Sequence, residues 1–231
     1  MRRLFLAVGV WVALCIGAVP AAAEDRLADF LSGAGTDSMG VVIPPELDGP
    51  RAAMSIGDYA AAVAELKDIV RRDSSHTLAL RLLASAYSHL DAEVQAIQVC
   101  RRISAIDSAD AGVEVALGYF HQRLGDFDVA RYHYRQALGR NPDAIQAYLG
   151  LAWMYLQRRQ LEPALEMVTR VTEQAPNHAL AYLLMGRILT AQGFFSDAAV
   201  AYRRTFALRP ELRERYGILL QELTIRHHMS Q

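Results

Sequence analysis

The chain has 231 residues, of which 52% are hydrophobic, and a formal net charge of −1 at pH 7. This apolar composition excludes disorder over most of the length, and the balanced charge argues against a protein that binds nucleic acid through a basic surface. The length allows one or two ordinary domains or one extended array of repeats.

The first 23 residues have the order of a secretory signal peptide. Arg2 and Arg3 precede an apolar run from Leu4 to Val19, and three alanines at 21–23 supply the small residues of a cleavage site. The run of 16 residues is shorter than the roughly 20 that span a bilayer. We therefore predict a signal peptide at 1–23, export to the periplasm and no transmembrane span in the mature chain. An uncleaved N-terminal membrane anchor is the alternative.

The two cysteines do not form a disulfide framework in the mature chain. Cys15 lies inside the signal and follows Leu14, whereas the cysteine of a lipid-modified signal follows a small residue, so we do not favour lipidation. Cleavage leaves Cys100 alone, which excludes an internal disulfide. We interpret Cys100 as an inert core residue.

A loose segment and a shortened helix pair follow the signal. Residues 24–42 are rich in glycine, aspartate and serine, which is typical of a flexible tether. Residues 43–76 predict an incomplete first repeat, because prolines before and at Pro50 exclude a full first helix. We expect a short helix that starts near Pro50 and a normal second helix after Gly57-Asp58.

From residue 77 the sequence repeats four times, at 77–110, 111–144, 145–178 and 179–212. A period of about 34 residues is typical of repeat architectures. Apolar residues within each interval recur at spacings of three and four, which predicts helices. Equivalent residues at this period are Leu83, Leu117, Leu151 and Met185, then Ala84, Gly118, Ala152 and Gly186, and then Ala96, Ala130, Ala164 and Ala198. Residues 213–231 predict a C-terminal capping helix and tail.

This pattern resembles the tetratricopeptide repeat, whose consensus has Trp-x-x-Leu-Gly-x-x-Tyr, then Ala-x-x-x-Phe and then Pro. Pro142, Pro176 and Pro210 close three of the four intervals. Of the residues at the tryptophan position, only Glu114 is unusual for a packed site. The resemblance implies an all-α, right-handed superhelical solenoid of antiparallel helix pairs, with non-catalytic protein recognition as its function.

By the same resemblance, the first helix of each pair lines a concave groove. Because the register of Tyr119 and Trp153 puts them outside the core between helices, we expect both to be surface anchors with little effect on stability. The expected partner-binding side chains are Arg81, Ser85, Val115, Tyr119, Gln122, Arg123, Leu149, Trp153, Leu156, Leu183 and Arg187. By contrast, six tyrosines are expected in the core: Tyr87, Tyr134, Tyr148, Tyr155, Tyr182 and Tyr202.

The resemblance also bears on the partner. Val115, Leu149 and Leu183 occupy the positions where family members that clamp a C-terminal carboxylate have a basic residue, so we expect a peptide or helix held by apolar contacts. Exported members of the family commonly serve pilus assembly, secretion or exopolysaccharide machinery. One alternative is a self-assembling scaffold whose groove takes the Val41-Val42-Ile43 segment of the next copy.

A second column of basic residues, Arg101, Arg135 and Arg203, is expected on the convex side. We interpret it as a solvated face, and the alternative is a site for an anionic glycan or lipid. We predict no catalytic residues, no metal site and no cofactor, since the sequence has no pattern typical of nucleophilic, metal or nucleotide chemistry.

Overall fold

A computed structural model describes residues 44–214 and 216–217. The predicted signal peptide 1–23, the tether 24–42 and most of the predicted cap at 213–231 lie outside these residues. Within the described ranges the chain forms a short 3₁₀ helix at Pro45–Leu47 and ten α-helices, with no strand. The prediction of an all-α fold is confirmed.

The helices form consecutive pairs. A tight turn joins the two helices of each pair, which run antiparallel to each other. A first helix carries an odd number and a second helix an even number. In chain order the helices are α1 Asp48–Ser55, α2 Tyr59–Arg72, α3 Thr77–His89, α4 Glu93–Ile106, α5 Ala111–Arg123, α6 Phe127–Arg140, α7 Ile145–Gln157, α8 Leu161–Gln174, α9 Ala179–Gln192 and α10 Phe195–Leu208. The pairs from α3–α4 onward each fall inside one of the predicted repeat intervals.

The described residues divide into two compact units. The N-terminal unit, residues 44–144, contains α1 to α6, and each of these helices packs against the next. The C-terminal unit, residues 145–217, contains α7 to α10, and α7 contacts both α8 and α9. Within each unit, a helix therefore buries its apolar face against its neighbours in sequence, as repeat architectures do.

The turn inside each pair uses one residue in the left-handed conformation. Gly57, Gly125 and Gly193 have φ of 81°, 84° and 86°, and Asp91 and Arg159 occupy the equivalent positions at 52° and 56°. Consecutive members of this set lie one repeat period apart, so the turn geometry repeats even where glycine is missing. A side chain at such a φ is strained, and more so for arginine than for aspartate.

Several first helices begin at a capping side chain. His76 Nδ1 accepts a hydrogen bond from the backbone N–H of Ala79 at 3.3 Å, and His178 caps α9 in the same way. Asp110 Oδ1 accepts from the backbone N–H of Gly112 at 2.9 Å. These contacts satisfy amide groups that have no partner inside the helix.

The described chain has a short first helix at one end and the start of a helical segment at the other. Helix α1 begins at Asp48, two residues before Pro50, and ends after only eight residues. Residues 212–214 and 216–217 are helical, and the remainder of the predicted cap is outside the description. Across residues 44–217, leaving out 215, no helix has the length and apolar character that a membrane span requires.

Small residues let the two helices of a pair approach closely. A Cβ atom added at Gly118 would lie 2.8 Å from the ring of Tyr134, and one at Gly186 would lie 3.0 Å from the ring of Tyr202. Tyr134 and Tyr202 are almost completely buried, in agreement with their predicted core role. The other predicted core tyrosines are half-buried: Tyr87, Tyr148, Tyr155 and Tyr182.

Candidate functional site

The predicted partner-binding residues all lie on first helices, and most of them are less accessible than expected. Four are half-buried: Arg81, Gln122, Arg123 and Leu149. Seven are buried: Ser85, Val115, Tyr119, Trp153, Leu156, Leu183 and Arg187. In each unit, the first helices thus present a buried floor with one or a few half-buried side chains above it.

The expectation that Tyr119 and Trp153 protrude as surface anchors is wrong. Tyr119 is 8% exposed and Trp153 is 7% exposed. Arg123 lies over the Tyr119 ring and Arg187 lies over the Trp153 ring, so arginines of the first helices cover both rings. Trp153 belongs to the core cluster of the C-terminal unit, where it packs with Ala152, Leu156 and Ile188. A change at either ring must therefore affect folding as well as any binding.

Arg123 forms the charged rim of the floor in the N-terminal unit. Its guanidinium pairs with Asp91, and its Nε lies 2.8 Å from Oε1 of Glu93. It also lies over the Tyr119 ring, with Cζ 5.9 Å from the ring centroid. Partial burial acts to lower the pKa of Arg123, but hydrogen bonds to Asp91 and Tyr119 outweigh it and hold the pKa above its ordinary value. This positive charge is permanent and is fixed in orientation.

Arg81 lies on the first helix of the preceding pair and is likewise tied to a carboxylate. Its guanidinium pairs with Asp110, whose other oxygen caps α5. About a fifth of the Arg81 side chain, 22%, remains exposed. One aspartate therefore fixes both the start of a first helix and the orientation of a rim arginine.

Gln122 connects the rim to the core beneath it. Its Oε1 accepts a hydrogen bond from the Tyr134 hydroxyl at 3.0 Å. Burial raises the pKa of Tyr134, so this hydroxyl keeps its proton and remains a donor. The Gln122 side chain is held on the surface by a buried partner, which reduces the conformational entropy that binding has to remove.

Glu114, the residue that departs from the consensus, lies in a buried ionic cluster between α5 and α6. Its Oε1 is 2.7 Å from Nη1 of Arg140 and its Oε2 is 2.7 Å from Nδ1 of His133. The His133 ring stacks on His121 with a centroid distance of 5.5 Å. Glu114 is unusual for a packed position of the repeat, but the sequence does not reveal its partners, because Arg140 lies at the far end of the next helix.

The C-terminal unit builds the same face from an aromatic ring and a guanidinium. Arg187 lies over Trp153 with Cζ 4.5 Å from the ring centroid, which is a cation–π arrangement. The two residues occupy equivalent positions in consecutive repeats. Leu149 packs against the core cluster beside them and stays half-buried. The result is a largely apolar surface on which the Arg187 guanidinium stacks on the Trp153 ring.

The three arginines of the second-helix column, Arg101, Arg135 and Arg203, are exposed. Their neighbours have a structural role instead. Arg102 Nη2 donates to the backbone carbonyl of Ser74 at 3.3 Å, and Arg204 makes the equivalent bond to Pro176 at 3.3 Å. The column is therefore a charged face, while the adjacent arginines fasten the loops between repeats.

Cys100 has the character that the sequence predicts. It is a free cysteine and is completely buried. Burial raises the pKa of the Cys100 thiol to about 12, so the thiolate is scarce at neutral pH. Among the residues that the structure describes, no group of three or more metal-binding side chains comes together.

Comparison with known proteins identifies the repeats directly. Two family models, each described as Tetratricopeptide repeat, match residues 51–111 and 122–188. No curated protein matches the chain significantly.

Many solved structures share the fold. TTC0263, described as a thermophilic TPR protein in Thermus thermophilus, is 16% identical with a TM-score of 0.65, over 76% of this chain and 97% of that one. PilW, a "widely conserved type IV pilus biogenesis factor", is 20% identical with a TM-score of 0.64, over 71% and 76% of the two chains. YrrB, "a TPR protein with an unusual peptide-binding site", is 17% identical with a TM-score of 0.53, over 77% and 92%. These likenesses confirm the solenoid fold of helix pairs.

Proposed function

The chain belongs to the tetratricopeptide repeat family, and from that premise we propose that it is a non-catalytic scaffold that binds a peptide or helix of another protein along its first-helix face. The family fold suggests protein–protein interaction in general terms. The choice of face is our proposal, and it rests on the side chains of the first helices in each unit.

The observation that carries this proposal is the preorganised rim of the N-terminal unit. Arg81 and Arg123 are each held by carboxylates, and Gln122 by the Tyr134 hydroxyl, above a floor that contains Val115 and Tyr119. Side chains that are fixed before binding lose little entropy when a partner arrives. Arginine is also a residue type that contributes strongly at protein interfaces.

The floor favours a partner that contributes apolar side chains rather than a free carboxylate. Val115 and Leu183 are almost fully buried, and Leu149 is half-buried. An apolar residue at these positions offers no hydrogen bond or charge to a carboxylate, and desolvating that group without compensation is unfavourable. An extended peptide or an amphipathic helix meets the surface without this penalty.

We place this activity outside the cytoplasm, on the basis of the N-terminal sequence. The positive residues, the apolar run and the alanines that precede Glu24 support export with cleavage after residue 23. PilW, a type IV pilus biogenesis factor of similar fold, supports the proposal of a part in envelope assembly. Mass spectrometry of the chain from the periplasmic fraction is expected to find Glu24 at the N-terminus. An intact Met1 in the cytoplasmic fraction would refute export.

Site-specific photo-crosslinking tests the binding face. A photoreactive phenylalanine derivative is introduced singly at Arg81, Gln122 or Leu149, which are half-buried, and at Arg135 as an exposed control on a second helix. We expect a crosslinked partner band from the three first-helix positions and none from Arg135. Crosslinks from Arg135 alone would contradict the proposal.

The exposed arginine column supports a second candidate function. Because Arg101, Arg135 and Arg203 are exposed cations on second helices, they could bind an anionic glycan or lipid. Binding to anionic vesicles that weakens steeply with salt and is lost in the triple alanine variant would favour this function. Self-assembly, the remaining alternative, predicts a molar mass that rises with concentration in light scattering.

A further inference from the structure

The turns inside the helix pairs of the N-terminal unit expose aliphatic side chains at one repeated position. Ile56, Leu90 and Leu124 are the C-terminal caps of α1, α3 and α5, and they are 81%, 43% and 45% exposed. They occupy equivalent positions in three consecutive helix pairs. The equivalent residues of the C-terminal unit are Arg158 and Gln192, so this apolar column belongs to one unit only.

Two valines extend the column onto the second helices. Val94 and Val129 lie in the first turns of α4 and α6 and are 56% and 41% exposed. Since a tight turn joins the end of a first helix to the start of a second, these valines lie at the same edge as the leucines. We call the set Ile56, Leu90, Val94, Leu124 and Val129 the turn edge. Single exposed apolar residues are ordinary, but a contiguous group of them marks an interaction surface.

Acidic side chains border the turn edge. Asp91, Asp126 and Asp128 are 80%, 53% and 73% exposed. Five carboxylates lie in these turns: Asp58, Asp91, Glu93, Asp126 and Asp128. Two guanidinium groups compensate part of their charge, since Arg123 pairs with Asp91 and Glu93, and Arg131 pairs with Asp128. The apolar column therefore lies in a negative field, which attracts a cationic partner and repels an acidic one.

The spacing of the column fits a helix better than an extended strand. In the N-terminal unit a second helix packs on the first helices before and after it, and packed helices lie about 8–10 Å apart, so equivalent residues of consecutive pairs are separated by a distance on the order of 10 Å. An α-helix presents the same face again after seven residues, about 10.5 Å along its axis. We infer that the turn edge docks a cationic amphipathic helix of a partner protein, with apolar residues at seven-residue intervals and lysine or arginine beside them. This surface is additional to the first-helix face.

Fluorescence anisotropy with a synthetic probe tests the inference on the full mature chain. The probe is a fluorescein-labelled helical peptide of about 18 residues, with leucine at every seventh position and lysines beside each leucine. We expect the Ile56→Gln/Leu90→Gln/Leu124→Gln variant to bind it at least about tenfold more weakly. The matched control is Phe194→Gln/Val200→Gln, which changes residues that are 55% and 58% exposed in the other unit and leaves binding unchanged.

A charge variant separates this site from general stickiness. Asp91→Asn/Asp128→Asn keeps the side-chain shapes and is expected to weaken binding a few-fold at low salt and to reduce its salt dependence. Equal binding by wild type and the triple variant, or no binding by wild type, overturns the inference. A wild-type dimer that the triple variant abolishes, without peptide binding, overturns it in favour of a second copy. Crosslinks at Arg81, Gln122 and Leu149 should persist in the triple variant, so the two proposals fail separately.

Discussion

The two units of the molecule build the same helix-pair framework with different chemistry. In the N-terminal unit, α5 and α6 enclose the carboxylate of Glu114, which pairs with Arg140 and His133. In the C-terminal unit the equivalent positions hold Tyr148 and Tyr182, and an apolar cluster around Trp153 joins the helices. The N-terminal unit therefore adds a buried ionic cluster with strict partner requirements to an apolar core that includes Leu80, Ile103 and Phe120, while the equivalent place in the C-terminal unit is filled by packing alone.

This difference shows which part of the repeat is invariant. Both units keep the close approach of a small residue to a tyrosine ring and the left-handed residue in the turn. The side chains between these fixed points vary as long as each buried charge has a partner. The repeat thus specifies the backbone, and its variable positions specify the surface.

The largest expected effect concerns the apolar cluster of the C-terminal unit. Trp153→Ala is expected to lower the free energy of unfolding by about 3–5 kcal/mol, because it removes a buried ring and leaves a cavity. Chemical denaturation followed by circular dichroism measures the change. The exposed Phe194→Ala, at 55% exposure, is the control and should change it by less than about 1 kcal/mol. If the Trp153→Ala variant were as stable as the wild type, Trp153 would be a surface residue and not part of the core.

The next effect tests the ionic cluster of the N-terminal unit. Arg140→Met leaves the Glu114 carboxylate buried with His133 alone and should cost about 2–3 kcal/mol, since Arg140 is a quarter exposed. Glu114→Met/Arg140→Met removes both charges and is expected to cost less than the single change. Thermal unfolding of both variants makes the comparison. A double variant that is less stable than Arg140→Met would mean that Glu114 still stabilises the fold through His133 after Arg140 is removed.

The sequence predicts the backbone of this protein better than it predicts the contacts of the side chains. The repeat period predicts the helices and their pairing, because apolar spacing and turn glycines act locally. The burial of Tyr119 and Trp153 was not predictable in this way. Arg123 lies over the Tyr119 ring from one turn further along the same helix, but Arg187 and Ile188 reach Trp153 from the first helix of the next pair, a contact that the position of Trp153 in its own helix does not reveal.

The contacts of Glu114 and the arginines show the same limit. A glutamate at a packed position indicates that a partner exists, but not that Arg140 and His133 supply it from the next helix. The exposed column at Arg101, Arg135 and Arg203 was easier to recognise, since charge on a helix face opposite to the apolar stripe faces water.

A smaller effect compares the close approaches in the two units. Gly118→Ala places a Cβ atom 2.8 Å from the Tyr134 ring, whereas Gly186→Ala places one 3.0 Å from the Tyr202 ring. Overpacking of this kind costs about 1–3 kcal/mol, and we expect the Gly118 variant to be the less stable of the two. Differential scanning calorimetry ranks them. The opposite order would show that the N-terminal unit relaxes more readily than the packing indicates.

The smallest effect lies in the turns. Arg159→Gly relieves a left-handed arginine and is expected to raise the free energy of unfolding by about 1 kcal/mol. Asp91→Gly should raise the free energy of unfolding by less, because aspartate tolerates the left-handed conformation better than arginine and because the contact of Asp91 with Arg123 is lost. Urea titration of the two variants provides the test. Equal gains would mean that the pairing of Asp91 with Arg123 contributes little.

The central claim is that the first helices bind the partner, and hydrogen–deuterium exchange tests it most directly. Exchange is measured on the mature chain alone and with the partner recovered by crosslinking. The account predicts slower exchange in α3, α5, α7 and α9 and little change in α4, α6, α8 and α10. Protection confined to the second helices would contradict it.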